Sequence, residues 1–122
     1  MVLAEIQKLL KATVYTQIDL AKVEIKTACG ADLLSDVLAF TKEKTLLLTG
    51  LIHPQVLRTV EMLDLVGVVF VRGKEPSKEM RELAQEKGIP LLSTNYPMYE
   101  ACGILFKAGL AGNSLSLTNK DK

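Results

Sequence analysis

The 122-residue sequence has no tryptophan, only three tyrosines and three phenylalanines, and a single histidine. So few aromatic side chains are poor material for stacking nucleic-acid bases. Fifteen basic residues against fourteen acidic ones leave a net charge of +1, which disfavours a sequence-independent grip on phosphate backbones or anionic membranes. We therefore expect neither a nucleic-acid partner nor a membrane partner.

Long apolar runs and cysteine motifs are also missing. The longest apolar run, Leu65 to Val71, is far shorter than the roughly 20 residues of a membrane span. The N-terminus lacks the basic and apolar stretches of a secretory signal, so we expect a cytoplasmic protein.

Cys29 and Cys102 lie far apart without a Cys-x-x-Cys motif, and we expect two reduced, buried thiols. With His53 as the single histidine, we expect no metal site.

Two phosphate-binding motifs are absent as well. Neither Gly-x-x-x-x-Gly-Lys-[Ser/Thr] nor Gly-x-Gly-x-x-Gly occurs in the sequence, so it has no P-loop and no dinucleotide fingerprint. We therefore expect no cofactor and no kinase, ATPase or dehydrogenase activity.

The hydrophobic content of 48% and the eight glycines and four prolines are typical of a globular domain. We expect one domain over residues 1–111 and a flexible tail over 112–122.

Three apolar runs, each followed by a turn and an amphipathic helix, organise the second half of the chain. The runs are Leu46–Gly50, Val68–Gly73 and Leu91–Thr94. Continuous apolar strands that alternate with helices indicate βαβ units and a parallel sheet covered on both faces. Gly67, Gly88 and Gly109 each follow a periodic segment, which suits left-handed helix C-caps.

The first half of the chain is less regular. The patterns predict a helix over residues 2–11, a brief strand over Thr13–Thr16, a half-buried strand over Val23–Thr27 and a helix from Asp32 to about Phe40. Together the two halves predict an α/β fold. We expect a three-layer sandwich with a mostly parallel sheet of four to five strands and helices on both faces.

Parallel strands joined by crossover helices end at the same edge of a sheet, where open α/β sheets usually bind ligands. We call this edge the strand-end rim. It consists of Thr49, Gly50, Arg72, Gly73, Lys74, Ser93, Thr94 and Asn95. Its glycines allow close backbone approach, helix N-termini offer free N–H groups, and two cations add charge. The rim could bind a phosphate or carboxylate; alternatively, these residues only shape turns and start helices.

A second candidate cluster contains Asp32, Ser35, Asp36 and His53. Asp32 and Asp36 are four residues apart, so on a helix they could hold a divalent cation or act as an acid–base pair. Alternatively, Asp32 caps the helix. His53 could move a proton at the rim or could be a cap or surface residue. We assign no catalytic residue.

Several segments resemble the DRTGG domain. They are Leu47–Gly50, Val69–Ser77, and Ile89–Thr94 with Tyr99–Ala101. The likeness spans roughly Asp32 to Leu110 and implies a compact α/β domain, found alone or beside CBS domains. The N-terminal domain of HPr kinase is similar. The segment Gly30–Leu38 resembles stand-alone members that accompany iron-hydrogenase genes, which implies a protein partner in hydrogenase-related regulation.

The residues that give the family its name differ here. Leu51 and Ile52 stand where the family has Asp-Arg, and Val71, Arg72 and Gly73 stand where it has Thr-Gly-Gly. The added cations favour a different or more anionic ligand.

Our main hypothesis is a non-enzymatic regulatory or ligand-sensing domain that binds a small anion, acts through a partner protein and forms a homodimer or larger oligomer. We expect self-association through the first helix and the strand at Val23–Thr27. One alternative is a small enzyme in which Arg72 and Lys74 hold an anionic substrate and Asp36 or His53 moves protons. The other alternative is an assembly module without a ligand.

Overall fold

A computed structural model describes residues 1–37 and 43–112 of the chain. Its strands are β1 (Thr13–Val14), β2 (Thr27–Gly30), β3 (Thr45–Thr49), β4 (Gly67–Phe70) and β5 (Leu91–Ser93). Its helices are α1 (Leu3–Leu10), α2 (Leu34–Val37), α3 (Gln55–Met62), α4 (Lys78–Lys87) and α5 (Met98–Lys107). A 3₁₀ turn, Leu20–Lys22, lies between β1 and β2.

The strands form one sheet in the spatial order β1-β5-β4-β3-β2. Strands β2 to β5 run parallel to one another, and β1 is antiparallel to β5. Helices α1 and α5 pack on one face of the sheet, and α2, α3 and α4 pack on the other. The predicted α/β fold with a mostly parallel sheet is therefore confirmed.

Strand β3 shows why the apolar runs fold in this way. All five of its residues are buried, and successive side chains of a strand point to opposite faces. Leu46 and Leu48 enter the core beneath α1 and α5, whereas Leu47 enters the core on the other face. A central strand of a three-layer fold therefore needs a continuous apolar run rather than an alternating one.

Helix α1 uses its apolar face inside the domain. Leu3, Ile6 and Leu10 are fully buried, and burial of each such side chain contributes about 1.5–3 kcal/mol relative to exposure. The helix ends at Lys11, which has a left-handed backbone with φ of 51°. The face of α1 that we expected to support self-association therefore covers the chain's own sheet.

The predicted strand over Val23–Thr27 is wrong in its bounds. Pairing with β3 begins at Thr27 and continues to Gly30. The N–H of Ile25 instead donates to the carbonyl of Met1, at 2.7 Å. The alternation of apolar and charged residues here reflects packing beside the N-terminus rather than a place in the main sheet.

The predicted glycine caps hold at two of three positions. Gly88 and Gly109 have φ of 70° and 103° close after α4 and α5. Gly67 is instead the first residue of β4, and a Cβ there would lie 3.0 Å from the carbonyl oxygen of Pro90. Glycine at position 67 therefore permits a close approach between strands.

Helix α2 begins two residues after Asp32 and is described over Leu34–Val37. The rest of the predicted helix, to about Phe40, lies outside the described residues. The same is true of the predicted tail after Gly112.

Candidate functional site

The carboxyl ends of β3, β4 and β5 lie side by side. The register pairs Thr49 with Phe70 and Phe70 with Ser93. Arg72 follows two residues after β4, and Thr94 follows directly after β5. The strand-end rim is therefore one continuous edge of the sheet.

Asp32, which the sequence analysis placed in the second cluster, lies at the rim. Its Oδ1 accepts hydrogen bonds from the N–H of Gly50 at 2.6 Å and from the hydroxyl of Thr49 at 3.3 Å. Its Oδ2 lies 4.0 Å from Nη1 of Arg72. The rim thus already holds one carboxylate, bound by a backbone amide, a hydroxyl and a guanidinium.

Gly50 provides the space for this arrangement. A Cβ at this position would overlap the guanidinium of Arg72 and would lie 3.3 Å from Oδ1 of Asp32. A side chain at position 50 would therefore displace the guanidinium of Arg72 from this position.

The turn after β4 directs its amides into the chain. Arg72 and Gly73 both have left-handed backbones, with φ of 60° and 70°. The N–H groups of residues 72, 73 and 74 donate to the carbonyls of Tyr96, Thr94 and Val71, respectively. The free N–H groups that we expected for an anion were those of the helix N-termini, and the three amides of this turn already have partners. The turn presents instead the guanidinium of Arg72, whose side chain is 49% exposed.

Two predicted hydroxyl groups of the rim also bond within the chain. The Ser93 hydroxyl donates to the carbonyl of Lys74, and the Thr94 hydroxyl donates to the carbonyl of Leu10, both at 2.7 Å. A hydroxyl has a single hydrogen to donate, so in this arrangement neither group donates to an anion. They fix the turn after β4 and the end of α1 to the strand ends.

A polar cavity of about 260 Å³ adjoins the rim beside β5 and β1. Its lining combines the predicted Gly73, Ser93 and Asn95 with Lys11, Thr13, Tyr15 and Glu75. The Tyr15 hydroxyl donates to Oε1 of Glu75 at 3.2 Å, and burial raises the pKa of Tyr15 above its usual value. The residues predicted from the sequence did not include Lys11, Thr13, Tyr15 and Glu75. The antiparallel pairing of β1 with β5, which brings the first three beside the strand ends, was not part of the prediction.

Within the described ranges, no hydrogen bond or ion pair joins the members of the second cluster. Ser35 and Asp36 are exposed on α2, whereas Asp32 precedes that helix. Nδ1 of His53 accepts a hydrogen bond from the N–H of Gln55 at 3.0 Å, so the histidine supports the start of α3. No group of three or more His, Cys, Asp or Glu in this part of the chain could hold a metal ion.

The two cysteines differ in their surroundings. Cys29 is buried, but Cys102 is only partly buried, which corrects the expectation of two buried thiols. Burial raises the pKa of both thiols above the usual value. Both cysteines therefore hold less thiolate near neutral pH than an exposed cysteine would.

A larger and mainly apolar groove, of about 450 Å³, lies between α5 and β2. Tyr99, Gly103 and Phe106 line it from α5, and Ala28 and Gly30 line it from β2. Tyr99 and Phe106 are 86% and 74% exposed. We call this feature the α5 groove, and nothing in the sequence analysis predicted it.

The sequence model of one protein family, the DRTGG domain, matches residues 5–108 of the chain. No curated protein matches it. One similar solved structure contains the CBS and DRTGG domains of the regulatory region of Clostridium perfringens pyrophosphatase, in complex with the activator diadenosine tetraphosphate. The two share 18% sequence identity with a TM-score of 0.66, over 85% of this chain and 45% of that one. The likeness therefore concerns the fold, and this chain spans less than half of the other.

No helix in the described ranges has both the length and the apolar character needed to cross a membrane.

Proposed function

Because this chain belongs to the DRTGG-domain family, we propose that it is a regulatory, ligand-sensing domain that binds a small anion at the strand-end rim. The ligand class is a phosphate- or carboxylate-bearing molecule. The domain acts by transmitting ligand occupancy to a partner protein rather than by catalysis. The observation that carries the proposal is the Asp32 carboxylate, held between Gly50 and Arg72.

The internal carboxylate supports anion binding because the rim already binds a group of the right chemistry. A charge-assisted hydrogen bond from a backbone amide to a carboxylate is about twice as strong as a neutral one. The ion pair to Arg72 is much weaker, since it is 4.0 Å long and both side chains are about half exposed. Such pairs contribute about 0–1 kcal/mol. Arg72 can therefore exchange Asp32 for an external anion at little cost.

This exchange suggests how occupancy is transmitted. An anion that binds the Arg72 guanidinium competes for it with the Asp32 carboxylate. Asp32 precedes α2 in the chain. A ligand shifts a conformational equilibrium only through a difference in its affinity for the two states. Here that difference comes from whether the guanidinium faces the ligand or the Asp32 carboxylate. The position of the segment from Asp32 into α2 would report on the ligand.

The polar cavity beside the rim extends the candidate site. Lys11 supplies a second cation there, and Asn95 supplies an amide that can donate or accept. A volume of about 260 Å³ is at the small end for ligand pockets. It suits a compact anion or one phosphate-bearing part of a larger ligand.

The similar regulatory region has a phosphate-bearing activator, diadenosine tetraphosphate. That region contains CBS domains as well as a DRTGG domain, so what it contributes to this proposal is the chemical class of the ligand. We also propose that the domain acts on a protein partner in hydrogenase-related regulation. A single domain over residues 1–111 is likewise a proposal.

Thermal unfolding in the presence of candidate anions tests the proposal. Inorganic phosphate, ATP, diadenosine tetraphosphate and small carboxylates are the probes, and a binding anion should raise Tm. Arg72→Ala should abolish the rise, and Arg72→Lys should reduce it, because lysine lacks the planar fork that binds two oxygens at once. Arg58→Ala removes an exposed arginine of α3 and is the matched control.

Two results would refute the proposal. One is the absence of any shift with every probe. The other is a shift that survives in Arg72→Ala, because the anion would then be bound elsewhere.

The alternative of a small enzyme gains no support from the structure. His53 is bonded at the start of α3, and no hydrogen bond or ion pair in the described residues connects it to Asp36. Turnover of a substrate that is lost in Asp36→Asn or His53→Gln would favour that alternative.

A further inference from the structure

The α5 groove is an exposed surface that the rim does not use. Two large aromatic side chains, Tyr99 and Phe106, stand on its helical wall and are mostly exposed. Exposed aromatic residues beside an apolar groove commonly mark an interaction surface. From its residues we propose that a second copy of this chain occupies the groove, with the two α5 helices packed antiparallel across a two-fold axis.

The sequence of α5 fits a close helix–helix contact. Tyr99, Gly103 and Phe106 are separated by four and three residues, so they share one face of the helix. Within the described residues, nothing lies within 4 Å of a Cβ built at Gly103. A glycine between two aromatic residues leaves a notch into which an aromatic ring of the second copy can fit.

The charges of α5 favour the antiparallel direction. Glu100 and Lys107 are seven residues apart, which places them on nearly the same side of the helix. Both are exposed, and they are equally distant from the midpoint between Gly103 and Ile104. An antiparallel pair therefore brings Glu100 of each copy opposite Lys107 of the other. In a parallel pair the flanks that carry them would lie on opposite sides of the interface, so the contacts between Glu100 and Lys107 would be lost.

The available area matches a weak and reversible dimer. A buried aromatic side chain covers about 150–250 Å², so the four rings of a symmetric pair cover about 600–1,000 Å². A specific interface needs about 1,000 Å², and the walls of the groove supply the remainder. Interfaces of this size lie at the low end of the observed range, where weak and transient contacts are found.

The contact differs from the one expected from the sequence. The apolar face of α1 is buried in the chain's own core, and β2 begins only at Thr27. The apolar face of α1 is therefore not available for self-association, whereas β2 is an edge strand of the sheet and lines the groove. The proposal also does not depend on anion binding at the rim.

Reversing the charge of Glu100 in one variant and of Lys107 in another tests the antiparallel pairing directly. Alone, Glu100→Lys places Lys against Lys at both ends of the pair, and Lys107→Glu places Glu against Glu. Each variant should have its dimer dissociation constant raised about tenfold or more. An equimolar mixture of the two variants restores both opposite-charge contacts, so it should form heterodimers as readily as the unmodified chain forms dimers. Sedimentation equilibrium and native mass spectrometry of the full chain measure this.

Gly103→Leu separates the interface from folding. A Cβ at position 103 meets open space, and leucine forms helix better than glycine by somewhat less than about 1 kcal/mol, so the monomer should be at least as stable to urea. The same side chain fills the notch and should weaken the dimer. Glu86→Lys, an exposed charge reversal on α4, is the matched control and should change neither property.

Three results would overturn the proposal. The full chain could remain monomeric at every concentration, which would leave the groove to the chain's own residues 113–122 or to a small apolar ligand. The two charge variants could dimerise as the unmodified chain does. Finally, their mixture could fail to form heterodimers, which would exclude the antiparallel pairing.

Discussion

Replacing Arg72 by glycine should leave the domain more stable than replacing it by alanine. Arg72 has a left-handed backbone with φ of 60°, a conformation that costs a residue with a Cβ about 1–2 kcal/mol. Glycine relieves that cost, whereas alanine keeps it. The greater freedom of glycine in the unfolded chain returns about 0.4–1 kcal/mol. The glycine variant should therefore exceed the alanine variant by about 0.5–1 kcal/mol in the free energy of unfolding.

Comparing these two variants isolates the backbone. Both lose the ion pair with Asp32, so its contribution cancels between them. Urea unfolding followed by circular dichroism gives both free energies, provided that the m-values agree. A difference of 1 kcal/mol corresponds to about 4 °C in Tm for a domain of this size.

Gly73 serves as the opposite control. Its φ is also positive, at 70°, and a Cβ there would lie 3.2 Å from Oδ1 of Asn95. Gly73→Ala should therefore lower the free energy of unfolding by about 1 kcal/mol or more. If Arg72→Ala proved as stable as Arg72→Gly while Gly73→Ala was destabilised, the reasoning about backbone strain at position 72 would be refuted.

Three further predictions concern single side chains. Asp32→Ala should lower the free energy of unfolding by about 1–3 kcal/mol, because the N–H of Gly50 loses its acceptor; an unchanged urea midpoint would contradict the geometry. Thr94→Val should cost about 1–3 kcal/mol by leaving the carbonyl of Leu10 without its donor, and Thr94→Ser should retain most of the stability. Because burial raises its thiol pKa, Cys102 should react with iodoacetamide more slowly than free cysteine at pH 8. Its rate should continue to rise at pH values where free cysteine has levelled off; an equal rate and profile, assayed with Cys102→Ser as the blank, would contradict this.

The second half of the fold could be predicted because its signals are local. Each apolar run, such as the one that becomes β3, is followed directly by a turn and an amphipathic helix. Continuous burial on both faces leaves few arrangements other than a parallel sheet. The location of the strand-end rim follows from that topology, without knowledge of any side-chain contact.

The place of Asp32 could not be predicted because it depends on strand register. Pairing of β2 with β3 sets Gly30 beside Leu48, and this alignment carries Asp32 to Gly50 two residues later. The predicted strand pattern lay over Val23–Thr27 with Gly30 at its end, and its neighbour in the sheet was not predicted. Without the pairing of β2 with β3, only the four-residue spacing from Asp36 was available to assign the carboxylate.

The partners of the rim amides are equally invisible in the sequence. A turn with glycine and basic residues has the composition of an anion site, whether its N–H groups point outward or inward. Here Arg72 and Gly73 have left-handed backbones. Their N–H groups donate to the carbonyls of Tyr96 and Thr94, which follow β5 in the chain. Only the three-dimensional path of the chain distinguishes the two cases.

The strain at Arg72 gives an independent reason to associate the rim with function. The family resemblance places glycine at this position, and glycine adopts the observed φ without steric cost. Arginine is present despite a cost of about 1–2 kcal/mol, in domains whose total stability is about 5–15 kcal/mol. Its ion pair with Asp32, at about 0–1 kcal/mol, does not clearly offset that cost.

Strained residues that stability does not explain tend to occur at binding and switch sites. If the guanidinium is retained for a ligand, stability and ligand response should move in opposite directions at this one position. Arg72→Gly should then be at least as stable as the unmodified chain and yet lose the anion-dependent rise in Tm. A variant that kept the rise would show that the arginine is not the residue that recognises the anion.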